Sequence, residues 1–176
     1  MGGPAPTAPT TPITATVTKP PSPPTPQPLF ATVKLSKLGT RLPLILWELQ
    51  QLDLKKSPNA AALLMRAVVE LAVSEVFQLN GWSLSMVDKS GHPHDIPLRN
   101  LIEKCVNTLD PVTDPKKQDK RYQAVRIGLT NPNSLFSPSS LHAMVHNVNI
   151  HPSANDLRSI AASYSDFLAG LDGLVP

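Results

Sequence analysis

Residues 57–81 read SPNAAALLMRAVVELAVSEVFQLNG, and this stretch decides the fold. Ser57 suits an N-cap, and Pro58 falls at the first helical position, where its missing N–H costs nothing. Asn80-Gly81 supplies the stop. Between them Arg66, Glu70, Ser74 and Gln78 recur at four-residue steps as one narrow polar stripe, with Glu75 beside it. Nearly everything else is Ala, Leu, Val, Met or Phe. A helix that is apolar around most of its circumference has to be surrounded. The pattern therefore predicts a central helix with other helices packed about it.

On the N-terminal side, Leu38, Leu42, Ile45, Leu46, Leu49 and Leu52 recur at three- and four-residue steps, one face of a helix expected from about Leu42 to Lys55 and Lys56. On the C-terminal side, residues 81–96 read as a connection turning at Ser90-Gly91. A third helix follows, with Asp95 as N-cap, Pro97 in its first turn, and Leu98, Leu101, Ile102, Cys105 and Leu109 inward. DPKKQDKRYQAVRIGLTN, after Pro111, predicts a fourth helix with a charged first half. Ser137 caps a short fifth helix that runs to about His146. Ser153, with Asp156 three residues on, makes the capping box of a sixth. No alternating run implies a sheet. The fold class is all-α: a single bundle of about six helices over residues 36–176, preceded by a disordered Pro/Thr-rich tail over residues 1–35.

The tail is set apart by composition. Ten of the twenty prolines lie in the first 28 residues, and Lys19 is the only charge before Val33. Such a stretch neither donates backbone hydrogen bonds regularly nor buries side chains, so it is expected to be a tether or linker. It lacks the basic start and apolar run of a signal peptide. The richest apolar stretch, Ala60 to Val76, is broken by Arg66, Glu70 and Glu75, so no membrane partner is expected. Cys105 is the only cysteine, which excludes an internal disulfide and a cysteine-based zinc site and fits a cytoplasmic setting. The net charge of +3 is too mild to announce nucleic-acid binding.

The polar segment SSLHAMVHNVNIHP, residues 139–152, is the candidate for chemistry. His142 and His146 stand four apart, which is zinc-ligand spacing on a helix, but Ala143 follows His142 where the HExxH base would be. A third ligand would have to come from His151, or from His92 or His94 in the loop. No metal or other cofactor is expected. Cys105 falls between Ile102 and Leu109 at an inward position, and no Gly-x-Ser-x-Gly turn or glycine-rich phosphate loop occurs. The plain structural expectation is a helix end. Leu141, Met144 and Val145 pack, His146 and Asn147 donate to the last carbonyls, and Asn149 and His151 bridge to the cap at Ser153.

AALLMRAVVELAVSEVF followed by LHAMVHNVNIHPSANDLRSIAASYSDFLAGL resembles HEPN-like helical modules attached to bacterial ParB-like, phage-defence or mobile-element proteins. The two quoted segments carry a resemblance that spans residues 42–171. It implies a helical fold and a homodimer or other protein partner. Many such domains are metal-independent endoribonucleases with a motif of Arg, four to six residues, then His. Here that arginine is missing before all five histidines, and Lys89, five before His94, is the nearest substitute. The resemblance therefore implies a non-catalytic interaction or dimerisation module in a bacterial defence or mobile-element protein. An endoribonuclease using His146 and His142 with Arg66 brought in from the central helix is the alternative. A third reading is a nucleic-acid-binding adaptor, in which Lys116, Lys117, Lys120, Arg121 and Arg126 meet phosphates while Tyr122 stacks on a base.

Overall fold

The computed structural model describes residues 27–147 and 149–176. Among these, α1 (Arg41–Gln51), α2 (Pro58–Leu79), α3 (Leu98–Leu109), α4 (Gln123–Thr130), α5 (Pro138–His146) and α6 (Ala154–Gly173) form the bundle. The only sheet among the described residues is a hairpin of β1 (Ser85–Val87) and β2 (Pro93–Asp95). The all-α expectation therefore stands, and the expected tail over residues 1–26 lies outside the described residues.

The central helix is α2, as the stretch 57–81 requires. Met65, Val68, Val69, Ala72, Val73 and Val76 are wholly out of solvent, and α1, α3, α5 and α6 all pack against it. Its end closes as a Schellman motif. Gly81 takes φ +67°, its N–H donates to Gln78 O, and Trp82 N–H donates to Phe77 O at 2.8 Å. The apolar contact that accompanies such a motif is present, with the Phe77 and Trp82 rings 5.1 Å apart and edge-on. The start is plainer than expected: Ser57 holds the N-cap position, but its side chain makes no capping bond.

The second long wall is α6, which buries Leu157, Ile160, Tyr164, Phe167, Leu168 and Leu171 against α2, α3 and α4. Its capping box forms as predicted, with Ser153 Oγ accepting from Asp156 N–H and the Asp156 carboxylate accepting from Ser153 N–H. Ser153→Ala should cost about 1 kcal/mol, read as a shift of the urea midpoint without a change of slope. The predicted Ser137 cap of α5 also forms, accepting from Ser140 N–H at 2.9 Å.

Four expectations need correction. The helical unit begins before residue 36: Leu29, Phe30, Val33 and Leu35 are buried in the core. Arg158 donates to Gln27 O, and Asp172 accepts from Ser36 Oγ and Lys37 N–H, which pins this segment to α6. These four apolar residues directly follow the proline-rich stretch and belong to the bundle, not to the tail. Next, α1 stops at Gln51, not near Lys56, because the Asp53 carboxylate accepts from Lys55 N–H and its carbonyl from Lys56 and Ser57 N–H, making a turn.

Asp95 does not cap α3; it pairs with Ser85 across the hairpin, and Pro97 precedes the helix. All six strand residues are exposed, so no burial pattern betrayed the pairing. Finally, residues 114–119 are not the first half of a helix. Asp114 accepts from Lys116 N–H and Asp119 from Arg121 N–H, so short acidic side chains take the backbone donors a helix would use. Only a 3-10 turn over Lys120–Tyr122 leads into α4.

Candidate functional site

The polar stripe of α2 meets α5 at three of the residues singled out from sequence. Arg66, four-fifths buried, donates from Nη1 to His142 Nδ1 at 2.5 Å and from Nε to Glu70 Oε2 at 3.3 Å. The four-residue step between His142 and His146 stacks their rings 4.3 Å apart at 33°. Arg66, His142 and His146 thus converge, although 76 residues separate the first two in the chain.

Accepting from a guanidinium requires a bare Nδ1 lone pair, which assigns His142 the neutral tautomer protonated at Nε2. Its pKa is held below the ordinary histidine value by desolvation first, then by the charges of Arg66 and His146, with Glu70 opposing. Because the folded value is the lower one, the unfolded chain takes up the proton more readily. Stability should therefore fall as pH drops below about 6.5 and level off beneath the folded value. Urea midpoints measured from neutral to mildly acidic pH should show this slope, and His142→Gln should flatten it.

The helix-end expectation fails for the other polar groups. His146 is exposed and makes no hydrogen bond to a carbonyl among the described residues, and the Asn147 side chain accepts from Asn149 N–H, leaving only the Asn147 backbone N–H to donate to Ala143 O. His151 is exposed and does not bridge to Ser153, whose own N–H goes to Asp156. His146 and His151 instead line a groove of about 350 Å³ with Leu63, Met144, Val145 and Ile150. Leu63 is 52% exposed, and Asn59 and Asn147 line the groove as well, so its wall mixes apolar, amide and imidazole groups. His92 and His94 sit on the exposed hairpin, and no group of three metal-ligating side chains occurs among the described residues.

The basic stretch is dispersed. Tyr122 is buried, with the Arg121 guanidinium over its ring, so it presents no free face to a base. Arg121 is held by Asp119 through Nε and Nη2. Arg126 is part of the fold: it donates to Asp110 O at 2.7 Å, to Asp110 Oδ2 at 3.3 Å and to Asn107 Oδ1 at 3.0 Å. Asp110, 7% exposed, also accepts from Asp119 N–H and so ties the 111–119 loop to α4. Arg126→Ala should cost about 3 kcal/mol in chemical denaturation, because it leaves that carboxylate buried without its cation. Lys116, Lys117 and Lys120 remain exposed, the first and last beside a cleft of about 660 Å³ that Ile127 and Leu129 also line.

Two side chains were missed. Leu44 and Trp47 are 62% and 59% exposed on α1. The available signal was their position off the apolar stripe that predicted the helix. Cys105 is fully buried, and burial pushes its thiol up to about 12, which leaves it inert at neutral pH. No helix among the described residues is long and apolar enough to cross a membrane. Comparison with protein-family models, curated proteins and solved structures finds no match.

Proposed function

We propose that this chain is a non-catalytic helical interaction module that acts by self-association. The observation that carries this reading is the commitment of Arg66. Its Nε and Nη1 donors go to Glu70 and His142, so the cation a nuclease would aim at a phosphate is spent on joining α2 to α5. Leu44 and Trp47 are meanwhile left to solvent three residues apart on α1, which supplies an apolar surface for a partner. The HEPN-like resemblance adds the setting, a bacterial defence or mobile-element protein, and the lone buried thiol suits the cytoplasm. Size-exclusion chromatography with light scattering should show a dimer that dissociates on dilution, and the same sample should leave RNA intact. A monomer at every concentration sinks the reading.

The convergence of His142, His146 and Arg66 favours one second reading, a metal-independent endoribonuclease. In it the exposed His146 would move the 2′-OH proton, with the His142 ring stacked against it and Arg66 bonded to His142. RNA cleavage in EDTA that is lost in His146→Ala, with the far-UV spectrum unchanged, would put this reading first.

A further inference from the structure

We infer that the outward face of α1 is the surface on which two copies of this chain pair, antiparallel, across a two-fold axis beside Leu44. This rests on the self-association reading and names its interface. Leu42, Leu46 and Leu49 turn into the core, which leaves Arg41, Leu44, Trp47, Glu48 and Gln51 along the outer side at helical spacing. Leu44 and Trp47 occupy the middle of this strip, and tryptophan is among the side chains enriched at the energetic centre of protein interfaces.

The charges on the same strip select a second copy as the occupant. A two-fold interface must be its own complement. Arg41 and Glu48 lie seven residues apart, about 10.5 Å along the axis, and neither has an ion-pair partner among the described residues. Antiparallel pairing about Leu44 sets each Arg41 opposite the other copy's Glu48, so the salt bridge forms twice, with Leu44 against Leu44 between them. Parallel pairing would set like charges together.

The helix dipole agrees. Arg41 stands at the N-terminal end of α1 and Glu48 in its C-terminal half, the disfavoured sign at each place within one copy. In the antiparallel pair each charge lies beside the opposite end of the neighbouring helix, where its sign is favoured.

Sedimentation or light scattering of the full chain tests this. Trp47→Glu should convert the dimer to monomer with the far-UV spectrum unchanged, and its urea midpoint should match that of the wild type diluted to monomer, because the residue is exposed in the single chain. Arg41→Glu alone and Glu48→Arg alone should each weaken association by about tenfold, since the two-fold repeats every repulsion. The double reversal Arg41→Glu/Glu48→Arg should restore it. A dimer indifferent to all four variants places the interface elsewhere and overturns the inference while leaving self-association intact. A wild-type monomer overturns both. If acrylamide then fails to quench Trp47 in a Trp82→Phe background, the strip is covered by residues 1–26 of the same chain.

Discussion

Val69→Asp is expected to abolish the cooperative unfolding transition, whereas Leu63→Asp, six residues earlier on the same helix, should shift it by no more than about 0.5 kcal/mol. Val69 is completely excluded from water on α2, and the wall around it is aliphatic and aromatic. A carboxylate there either stays charged in a medium that solvates it poorly or takes up a proton and leaves its polar atoms unmatched, and both options exceed about 4 kcal/mol. Small domains hold about 5–15 kcal/mol in total, so one side chain removes a large part of the fold's margin. Leu63 is half exposed, and its replacement removes little buried surface. Circular dichroism during urea titration separates the two. A cooperative Val69→Asp variant would mean that α2 is not threaded through the middle of the bundle.

Gly128→Ala should destabilise by about 2–3 kcal/mol, against the usual gain from replacing a helical glycine. A Cβ at position 128 would overlap the Phe136 carbonyl oxygen and stand 2.6 Å from its carbon and 3.0 Å from Ser137 N. Backbone cannot move aside as a rotamer can, and this carbonyl is also fixed from the other side, where the buried Tyr164 hydroxyl donates to it at 2.8 Å. Opening room for the methyl therefore breaks that bond or lifts the 131–137 turn off α4. Gly170→Ala is the control. Its Cβ would meet only the Leu109 methyls and the Tyr122 hydroxyl at 3.0 to 3.2 Å, the ends of side chains that can yield, so a much smaller change is expected. Equal effects at the two sites would remove the backbone contact as the cause.

Three of the single-turn signals form, whereas the Ser57 and Asp95 side chains make no cap. The Ser153–Asp156 capping box, the Ser137 cap and the Asn80-Gly81 stop each join residues three to five apart, and each forms. The errors came where two local signals competed. Asp53, Asp114 and Asp119 hydrogen-bond the backbone beside them and so shorten helices that hydrophobic spacing alone would extend. In the candidate site, His142 and His146 were legible as a pair from their spacing. Their relation to Arg66 was legible only as a condition to be met, since nothing in the chain between them says which face of α5 turns toward α2.

Composition and periodicity were sufficient for the class of fold, because a helix with so narrow a polar stripe is stable only when enclosed by other helices. They were also sufficient for the caps, which are contacts between near neighbours. Only packing decided that Arg66 would donate to His142, that Arg126 would be drawn to Asp110 and away from any phosphate, and that Tyr122 would be interior while Trp47 faced out. These outcomes depend on the rotation and crossing of whole helices, which sum many weak contacts between residues distant along the chain, and no single stretch encodes that sum.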